Sequence, residues 1–598
     1  MNQQERMQVL GYIEKYSAEF SKLTADVMNR VLTNTMASDG SEPPAGLVMP
    51  EQGSVRINPE QFLNQQMQFM QQQQQLWQSA SQAFLGGNVE TLIEPAKGDK
   101  RFADPDWDGN PVFNYIKQAY LLNAQYMNQL VDSMEFDDPK LAEQVRFYTR
   151  QYVSSVAPTN FLLTNPEVCK EILQTEGENL ARGMDNFMRD LEQSPTEALK
   201  ITQVKSDAFV LGKDLANTEG GVVFKNELIE LIQYKPTTEQ VHSVPLLILP
   251  PFINKYYILD LGEKKSLVKW LVSQGFTVFM ASWVNPNKQH ATFGFDEYVE
   301  LGAIAALDAV CEITGAEKVN VAGYCVGGTL LGITQSVLKA RGDNRINTCT
   351  FLTTLFDFSE PGEVGNYLSE DSFAVIEKTV KTKGYFDGRV LALSFSLLRE
   401  NNLFWSFFID NYLKGKDPMP FDILYWNSDS TNVPAAVYIY YLRNMYLDNQ
   451  LKHAGALTIC DTPVDLAQVG VPSYCLAAQA DHIVLWQAAY KSAQILANNE
   501  AAQVRFVLTE SGHVAGVVNP TDRGKYPHWV NDTLAADAES WMAEAKQQEG
   551  SWWSDWRDWL AARAGEQCAA PAVGSKKHPV VGDAPGSYVK VRLDHQAL

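Results

Sequence analysis

One cysteine stands in a setting that suits covalent catalysis. Cys325 is the centre of the pentapeptide Gly323-Tyr-Cys-Val-Gly327, with an apolar strand-like run before it and a helix-compatible segment after it. Small residues on both flanks allow a sharp turn that exposes the central side chain. A thiol at such a turn lies at a helix N-terminus, whose dipole and free N–H groups favour a thiolate. The pattern predicts a cysteine nucleophile, but a buried cysteine in a glycine-rich turn shares this short spelling.

A nucleophile of this kind needs a base and an acid, and two later loops offer both. The strand-like residues 473–477 lead to Asp481, and the strand-like residues 505–508 lead to His513. His513 would deprotonate the thiol or an incoming hydroxyl, while Asp481 would fix its tautomer and support the imidazolium. Asp357 follows an earlier strand-like segment and is a rival acid. The spacing favours Asp481 without excluding Asp357.

Two backbone N–H groups are candidate donors to an oxyanion. One belongs to Val326, directly after the nucleophile, and the other to the loop after Leu249, near Phe252 or Ile253. A thiol exchanges acyl groups with a thioester at little cost in free energy, because one thioester replaces another. The sequence therefore favours acyl transfer from a carrier thioester over ester hydrolysis.

Strand-like and helix-like segments alternate in the later part of the chain. The apolar runs are 222–224, 228–234, 244–250, 277–283, 319–322, 348–353, 473–477 and 505–508. Such an alternation predicts a parallel sheet covered on both faces. With the strand, elbow and helix around Cys325, it predicts an α/β protein with an α/β-hydrolase core.

This core is assigned to residues 206–598. An aromatic-rich cap insertion is expected at about 358–466, and a Trp-rich helix and tail at about 540–598. Within the tail, residues 585–593 suggest a short strand. The sequence thus predicts a hydrolase sheet with a cover over its active site.

The N-terminal part has a different pattern. Apolar residues recur at spacings of three and four over much of residues 1–205, which predicts an all-helical domain. A Gly/Pro/Ser-rich stretch at 37–59 indicates a linker, and a Gln-rich helix is predicted over 60–85. The apolar stripe within residues 1–35 either packs on the rest of the chain or binds a partner or surface.

The composition limits the classes of function and partner. The 598 residues carry 49 Lys and Arg against 71 Asp and Glu, and this net charge of −22 disfavours nucleic acid and anionic membranes. The 7 Cys lack a C-x-x-C pair and the 8 His are dispersed, so neither disulfides nor a metal site is expected. No secretion signal or transmembrane segment is expected either, which predicts a cytoplasmic protein.

Several stretches closely resemble the polyhydroxyalkanoate synthases, bacterial enzymes that build storage polyester from 3-hydroxyacyl-CoA. They are residues 250–260, 323–329, 411–415, 425–432, 481–483 and 511–517. The likeness runs from about residue 95 to the tail, and it places the nucleophile, acid and base of the family on Cys325, Asp481 and His513. It therefore favours Asp481 over Asp357. It implies that Cys325 expels CoA and that a 3-hydroxyl, deprotonated by His513 or directly by Asp481, then takes the acyl group.

Chain length and the spelling of residues 252–257 are similar to the class I enzymes of this family. These favour short-chain monomers such as 3-hydroxybutyryl-CoA, act as homodimers and associate with polyester granules, with no cofactor beyond the CoA thioester substrate. Candidate substrate contacts are Tyr425, Trp426, Arg399 and Asn254. Two alternatives stay open: an acyl-CoA thioesterase or polyester depolymerase with the same triad, and a non-catalytic granule-associated scaffold.

Overall fold

The chain forms two compact units. The computed structural model describes residues 55–85, 90–195 and 198–593, so the stripe predicted within residues 1–35 lies outside the described residues. One unit holds the described residues up to Gln203 together with Leu393–Met419, and the other holds Val204–Ala392 and Pro420–Leu593. The segment 393–419, expected within the cap of the catalytic domain, thus packs in the helical unit.

Side chains of the first unit explain why this segment belongs there. Asn179 Nδ2 donates a hydrogen bond to Leu413 O at 2.7 Å, and Tyr412 Oη donates to Asp190 Oδ2 at 2.6 Å. A Cβ on Gly183 would overlap the backbone of Tyr412, so the two backbones meet closely at this glycine. These contacts join residues far apart in sequence, and the spacing of apolar residues along the chain cannot predict such contacts.

The helices of the first unit begin with capping residues. Four of them start at an Asn or Asp N-cap whose side chain accepts hydrogen bonds from N–H groups of the first turn. In each of the four the next residue is Pro, which has no N–H group that would need an acceptor. The helices are Pro59–Phe84, Asp106–Gly109, Pro111–Asp132, Pro139–Ser155, Pro166–Gln174 and Glu178–Gln193. Strands β1 (Val55–Ile57) and β2 (Met134–Phe136) pair antiparallel, so the end of the expected linker is a strand and the unit is not purely helical.

The second unit is organised around an 11-stranded sheet. The remaining strands are β3 (Gly220–Lys225), β4 (Ile229–Tyr234), β5 (Gln240–His242), β6 (Leu246–Leu249), β7 (Val278–Trp283), β8 (Val319–Tyr324), β9 (Ile346–Leu352), β10 (Tyr385–Phe386), β11 (Val433–Pro434), β12 (Thr458–Ile459), β13 (Thr462–Pro463), β14 (Ser473–Ala478), β15 (Arg505–Thr509), β16 (His528–Val530), β17 (Lys546–Gln548), β18 (Gln567–Ala569) and β19 (Gly582–Asp583). Their order in the sheet is β17-β16-β15-β14-β9-β8-β6-β7-β4-β3-β19, and β5, β10–β13 and β18 form small two-stranded sheets.

The sheet is mixed rather than purely parallel. Strands β7, β6, β8, β9, β14 and β15 are parallel, while β4, β3 and β19 on one side and β16 and β17 on the other are antiparallel. The connection between β3 and β4 is too short for a crossover, which forces an antiparallel pair. The prediction of a parallel sheet is therefore confirmed for the central strands β7, β6, β8, β9, β14 and β15 and is wrong at both edges.

Both faces of the sheet are covered, as predicted for apolar strands. Leu247 and Leu249 of β6 enter one apolar core, and Leu246 and Ile248 enter another on the opposite face. This alternation follows from the two-residue period of a strand. Helices pack on each side and give an α/β-hydrolase core.

The helices of the second unit include those of the predicted cap insertion and of the C-terminal Trp-rich region. They are Leu267–Ser273, Phe295–Glu297 continuing through a π-helix to Ala305–Thr314, Val326–Ala340, Glu370–Lys383, Gly388–Leu397 (shared with the first unit), Asp422–Ser428, Ala435–Tyr441, Trp486–Ala497, Ala538–Glu544 and Trp552–Ala561. Trp541, Trp552, Trp553 and Trp556 are fully buried. The predicted strand at 585–593 is wrong: this segment contains a 3₁₀ turn, Tyr588–Lys590, held by polar contacts.

Candidate active site

The predicted nucleophile lies where the order of the strands reverses. Strand β6 stands between β7 and β8, so the chain moves to one side of β6 and then returns to the other. Such a reversal opens a crevice at the carboxyl ends of parallel strands. Cys325 directly follows β8 and precedes the helix Val326–Ala340, which places its side chain at this crevice.

The backbone of Cys325 has the strained shape of a nucleophile elbow. Its φ of 53° and ψ of −125° lie outside the regions that ordinary side chains favour. The flanking glycines make the turn possible, since a Cβ on Gly323 would lie 2.5 Å from Gly328 Cα and one on Gly327 would lie 2.6 Å from Pro250 O. Strain of this kind persists only where the surroundings enforce it, as the closely packed glycines do around the half-buried Cys325.

The predicted base and acid meet across two neighbouring loops. His513 Nδ1 lies 2.6 Å from Asp481 Oδ2. The other oxygen of Asp481 accepts hydrogen bonds from the N–H groups of Ile483 at 2.8 Å and Val484 at 2.9 Å. The carboxylate is fully buried and directed at the imidazole, which is the arrangement that fixes a histidine tautomer.

The electrostatics link this pair to the cysteine. Burial lowers the pKa of His513, but the charge and hydrogen bond of Asp481 and the charge and hydrogen bond of Cys325 outweigh it and raise that pKa to about 10. Both side chains therefore act on the imidazole through a hydrogen bond as well as through charge. The site can move a proton between Cys325 and His513 while Asp481 stabilises the imidazolium.

The rival acid Asp357 is engaged elsewhere. Its Oδ1 accepts a hydrogen bond from Asn449 Nδ2 at 2.8 Å and another from Ser359 N at 2.9 Å. These contacts lower the pKa of Asp357 against the effect of its burial. Asp357 thus stabilises a loop, and Asp481 is the carboxylate beside His513.

The loop after β6 runs beside the elbow. Trp283 Nε1 donates to Pro250 O at 2.9 Å, and Gly327 packs against the same carbonyl. As the first residue of its helix, Val326 has an N–H without an intrahelical acceptor. Ile253 is half-buried in the neighbouring loop. The two predicted oxyanion donors therefore lie on adjoining segments, and their role remains a prediction.

The predicted substrate contacts fall in different environments. Tyr425 and Trp426 are buried, with the hydroxyl of Tyr425 donated to Phe209 O at 3.1 Å and Trp426 Nε1 donated to Lys255 O at 2.7 Å. Asn254 is half-buried and lines a cavity of about 10 Å³. Arg399 is exposed and belongs to the first unit, whereas Cys325 belongs to the second. Their contact with substrate remains a prediction, and Tyr425 and Trp426 also serve as core residues.

Two tyrosines near the nucleophile were not selected from the sequence. Burial and the charge of Cys325 raise the pKa of both Tyr441 and Tyr446, and Asp481 adds to the rise at Tyr446. Their rings lie 5.3 Å apart, and both contact Phe358. They share a face because residues Leu442–Leu447 form a π-helix, which aligns positions five apart. Ordinary helical spacing gives no signal for this pair.

Two further features concern metal binding and membrane helices in the described part of the chain. Across residues 55–85, 90–195 and 198–593, no group of three or more His, Cys, Asp or Glu is placed to hold a metal ion. Within these same residues, no helix has the length and apolar character needed to cross a membrane.

Known proteins are similar in sequence to this chain over most of its length. Residues 98–271 match the family described as the N-terminus of poly-beta-hydroxybutyrate polymerase (PhaC), and residues 245–520 match the alpha/beta hydrolase fold. A poly(3-hydroxyalkanoate) polymerase subunit PhaC of Cupriavidus necator is 43% identical over 90% of each chain. The PhaC subunit of Rhizobium meliloti is 40% identical over 90% of this chain and 86% of its own, and the polymerase of Methylorubrum extorquens is 41% identical over 90% and 88%. The chain therefore belongs to the poly(3-hydroxyalkanoate) polymerases, acyltransferases with an α/β-hydrolase fold.

Proposed function

We propose that this enzyme polymerises (R)-3-hydroxyacyl-CoA, mainly short-chain units such as 3-hydroxybutyryl-CoA, and releases CoA. One observation carries the proposal: Cys325 stands at a strained elbow, within reach of an imidazole that is paired with a buried carboxylate. The names of the relatives support polyester formation, and the thiol supports a thioester substrate. The identity of CoA as the acyl carrier and the short length of the monomer are proposed here in addition to polyester formation.

The first half-reaction loads the enzyme. Cys325 Sγ, its proton transferred to His513, attacks the thioester carbonyl carbon, and the bond from that carbon to the CoA sulfur breaks. CoA leaves as a thiol after taking the proton from His513. The N–H groups of Val326 and Ile253 would hold the oxygen that becomes negative during this step.

The second half-reaction extends the polymer. The 3-hydroxyl of the next unit or of the growing chain loses its proton to His513, and its oxygen attacks the acyl carbon on Cys325. The carbon–sulfur bond breaks, an ester forms, and the proton returns to the cysteine. Because Asp481 is buried beside His513 and already bonded to two N–H groups, we assign proton transfer to His513 and orientation to Asp481. Each cycle adds one ester, and we propose no cofactor besides the CoA thioester itself.

We also propose that the enzyme acts as a homodimer at the surface of the growing polyester granule. The helix Pro59–Phe84 supports contact with an apolar product, because Leu63, Met67, Met70 and Trp77 are each between 55% and 64% exposed. Their spacing places them along one side of the helix. Replacing Met67 and Met70 by Glu should release enzyme from polyester granules in a sedimentation assay. Unchanged sedimentation would overturn this role, and light scattering of the purified protein tests the dimer.

The test of the reaction compares wild type with Cys325→Ala on 3-hydroxybutyryl-CoA. Wild type should release CoA and form an insoluble polyester, and the variant should do neither. Release of CoA with only free 3-hydroxybutyrate would favour a thioesterase, the nearest alternative. Polyester formation by Cys325→Ala would favour a non-catalytic role for this site.

A further inference from the structure

The loop that carries a predicted oxyanion donor, residues 250–255, is held at both ends. At its start, Pro250 O accepts a hydrogen bond from Trp283 Nε1 at 2.9 Å. At its end, Lys255 O accepts one from Trp426 Nε1 at 2.7 Å. The position of Ile253 between these ends depends on how firmly each of them is fixed.

Lys255 is a buried lysine with several defined partners. Its side chain is 5% exposed, and its Nζ donates to Val589 O at 2.8 Å and to Val591 O at 2.6 Å. The same Nζ lies 2.7 Å from Asp429 Oδ1, and the carboxylate of Asp429 is fully buried. The ammonium thus joins the 250–255 loop, the segment before β11 and the C-terminal tail.

The C-terminal segment 587–592 is attached mainly by polar contacts. Glu230 Oε2 accepts from the N–H groups of Ser587 at 2.8 Å and Tyr588 at 2.9 Å. The guanidinium of Arg592 lies 3.8 Å from Asp429 Oδ2 and 4.8 Å above the ring of Tyr425. Asp429 Oδ2 also accepts a hydrogen bond from Tyr257 Oη at 3.0 Å. One carboxylate therefore contacts the tail through Arg592 and the end of the 250–255 loop through Lys255 and Tyr257.

This network is poorly suited to a purely stabilising role. Burying two charges costs several kcal/mol per ion, and apolar residues of similar volume often give equal or greater stability. A buried ammonium instead fixes the relative positions of the segments that it joins, because its N–H donors bond to acceptors at defined places. A methionine at position 255 would fill the space and keep the bond from Trp426 to the backbone carbonyl, but it would not tie the loop to Asp429 and the tail.

We propose that Lys255 is a positioning residue for acyl transfer. By tying the 250–255 loop to Asp429 and to the backbone of Val589 and Val591, it holds the predicted donor at Ile253 in line with Cys325. The inference rests on the proposed function, since it concerns the same oxyanion. It assigns the C-terminal tail a part in completing the active site.

The test compares Lys255→Met with Arg505→Met in the full-length enzyme. Arg505 pairs with Asp555 at the opposite end of β15 from His513, so its loss removes a half-buried ion pair away from the 250–255 loop. Loss of positioning should lower kcat for CoA release by about tenfold to hundredfold in Lys255→Met, with KM changed by less than about threefold. Single-turnover acylation of Cys325 should slow by the same factor, while Arg505→Met keeps kcat within about twofold of wild type.

Three results would overturn the proposal: a folded Lys255→Met enzyme with kcat near that of wild type, an equal loss in Arg505→Met, or a change confined to KM. If Lys255→Met does not fold, Asp429→Asn decides by the same criteria, because it keeps the volume and removes the charge. Absence of CoA release by wild type would instead defeat the proposed function. A free-acid product would defeat only polymerisation, and the comparison of kcat would still test Lys255.

Discussion

His513 Nδ1 lies 2.6 Å from Asp481 Oδ2, although 32 residues separate the two along the chain. They follow β15 and β14, which are neighbouring parallel strands, so the register of the sheet sets their loops side by side. Tyr324, the residue before Cys325, stacks on the imidazole and donates to His513 O at 3.1 Å. The predicted triad is therefore linked through adjacent residues as well as through its own side chains.

This relationship predicts how His513 titrates. Its pKa of about 10 should fall markedly in Asp481→Asn, because the carboxylate is a main cause of the rise. NMR of protein labelled at histidine measures it, with His513→Gln to assign the signal. An unchanged pKa in Asp481→Asn would contradict the electrostatic link.

The same shift has a consequence for stability. Because the folded-state pKa lies above the ordinary 6.5, protonated His513 adds to the free energy of unfolding fully below about pH 6.5. That contribution should be lost as the pH rises through about 10. Urea unfolding of wild type and His513→Gln at several pH values should therefore give a difference that shrinks with pH.

Gly327→Ala tests the fit between the elbow and the 250–255 loop. An added Cβ would overlap Leu249 O at the end of β6 and lie 2.6 Å from Pro250 O, so the elbow or the start of this loop must move. We expect a loss of about 1–3 kcal/mol in the free energy of unfolding and a large loss of CoA release. Gly109→Ala is the control, since no atom lies within 4 Å of its added Cβ. Equal behaviour of the two variants would show that the close approach is unimportant.

Tyr446→Phe tests the tyrosine pair beside the nucleophile. Burial and the nearby Cys325 and Asp481 raise the pKa of this hydroxyl, and we expect it to donate a hydrogen bond to the reacting groups. Since a hydrogen bond to a charged group is worth about 1.5–3 kcal/mol, kcat should fall at least roughly tenfold. Tyr440→Phe is the matched control, because the charge that acts on Tyr440 comes from Asp296. A decrease in kcat no greater than in Tyr440→Phe would show that the Tyr446 hydroxyl does not take part in the reaction.

Local pattern was enough to predict the core of this fold. Apolar runs and the glycines around Cys325 predicted the central strands and the elbow, because strand burial and the sharp turn each restrict residue type locally. The order of acid and base along the chain then selected His513 and favoured Asp481, and the family resemblance decided for Asp481 over Asp357. Their side-by-side placement follows from the neighbouring strands β14 and β15.

What the sequence did not predict depends on contacts between distant segments. The antiparallel pairing of β4 with β7 and of β19 with β3, the packing of 393–419 in the helical unit and the attachment of the tail through Lys255 all join parts far apart in the chain. The pairing of Tyr441 with Tyr446 depends on a π-helix, whose period differs from that of ordinary helices. Neither the structural propensities of the residues nor the spacing of apolar residues predicts such distant contacts or a π-helix.

The most direct test of the central claim is mass spectrometry of enzyme quenched with acid during turnover of 3-hydroxybutyryl-CoA. We predict hydroxyacyl groups bound to the peptide that contains Cys325, removable by hydroxylamine and absent from Cys325→Ala. Polyester formation with Cys325 unmodified, or with the acyl group on another residue, would contradict the account.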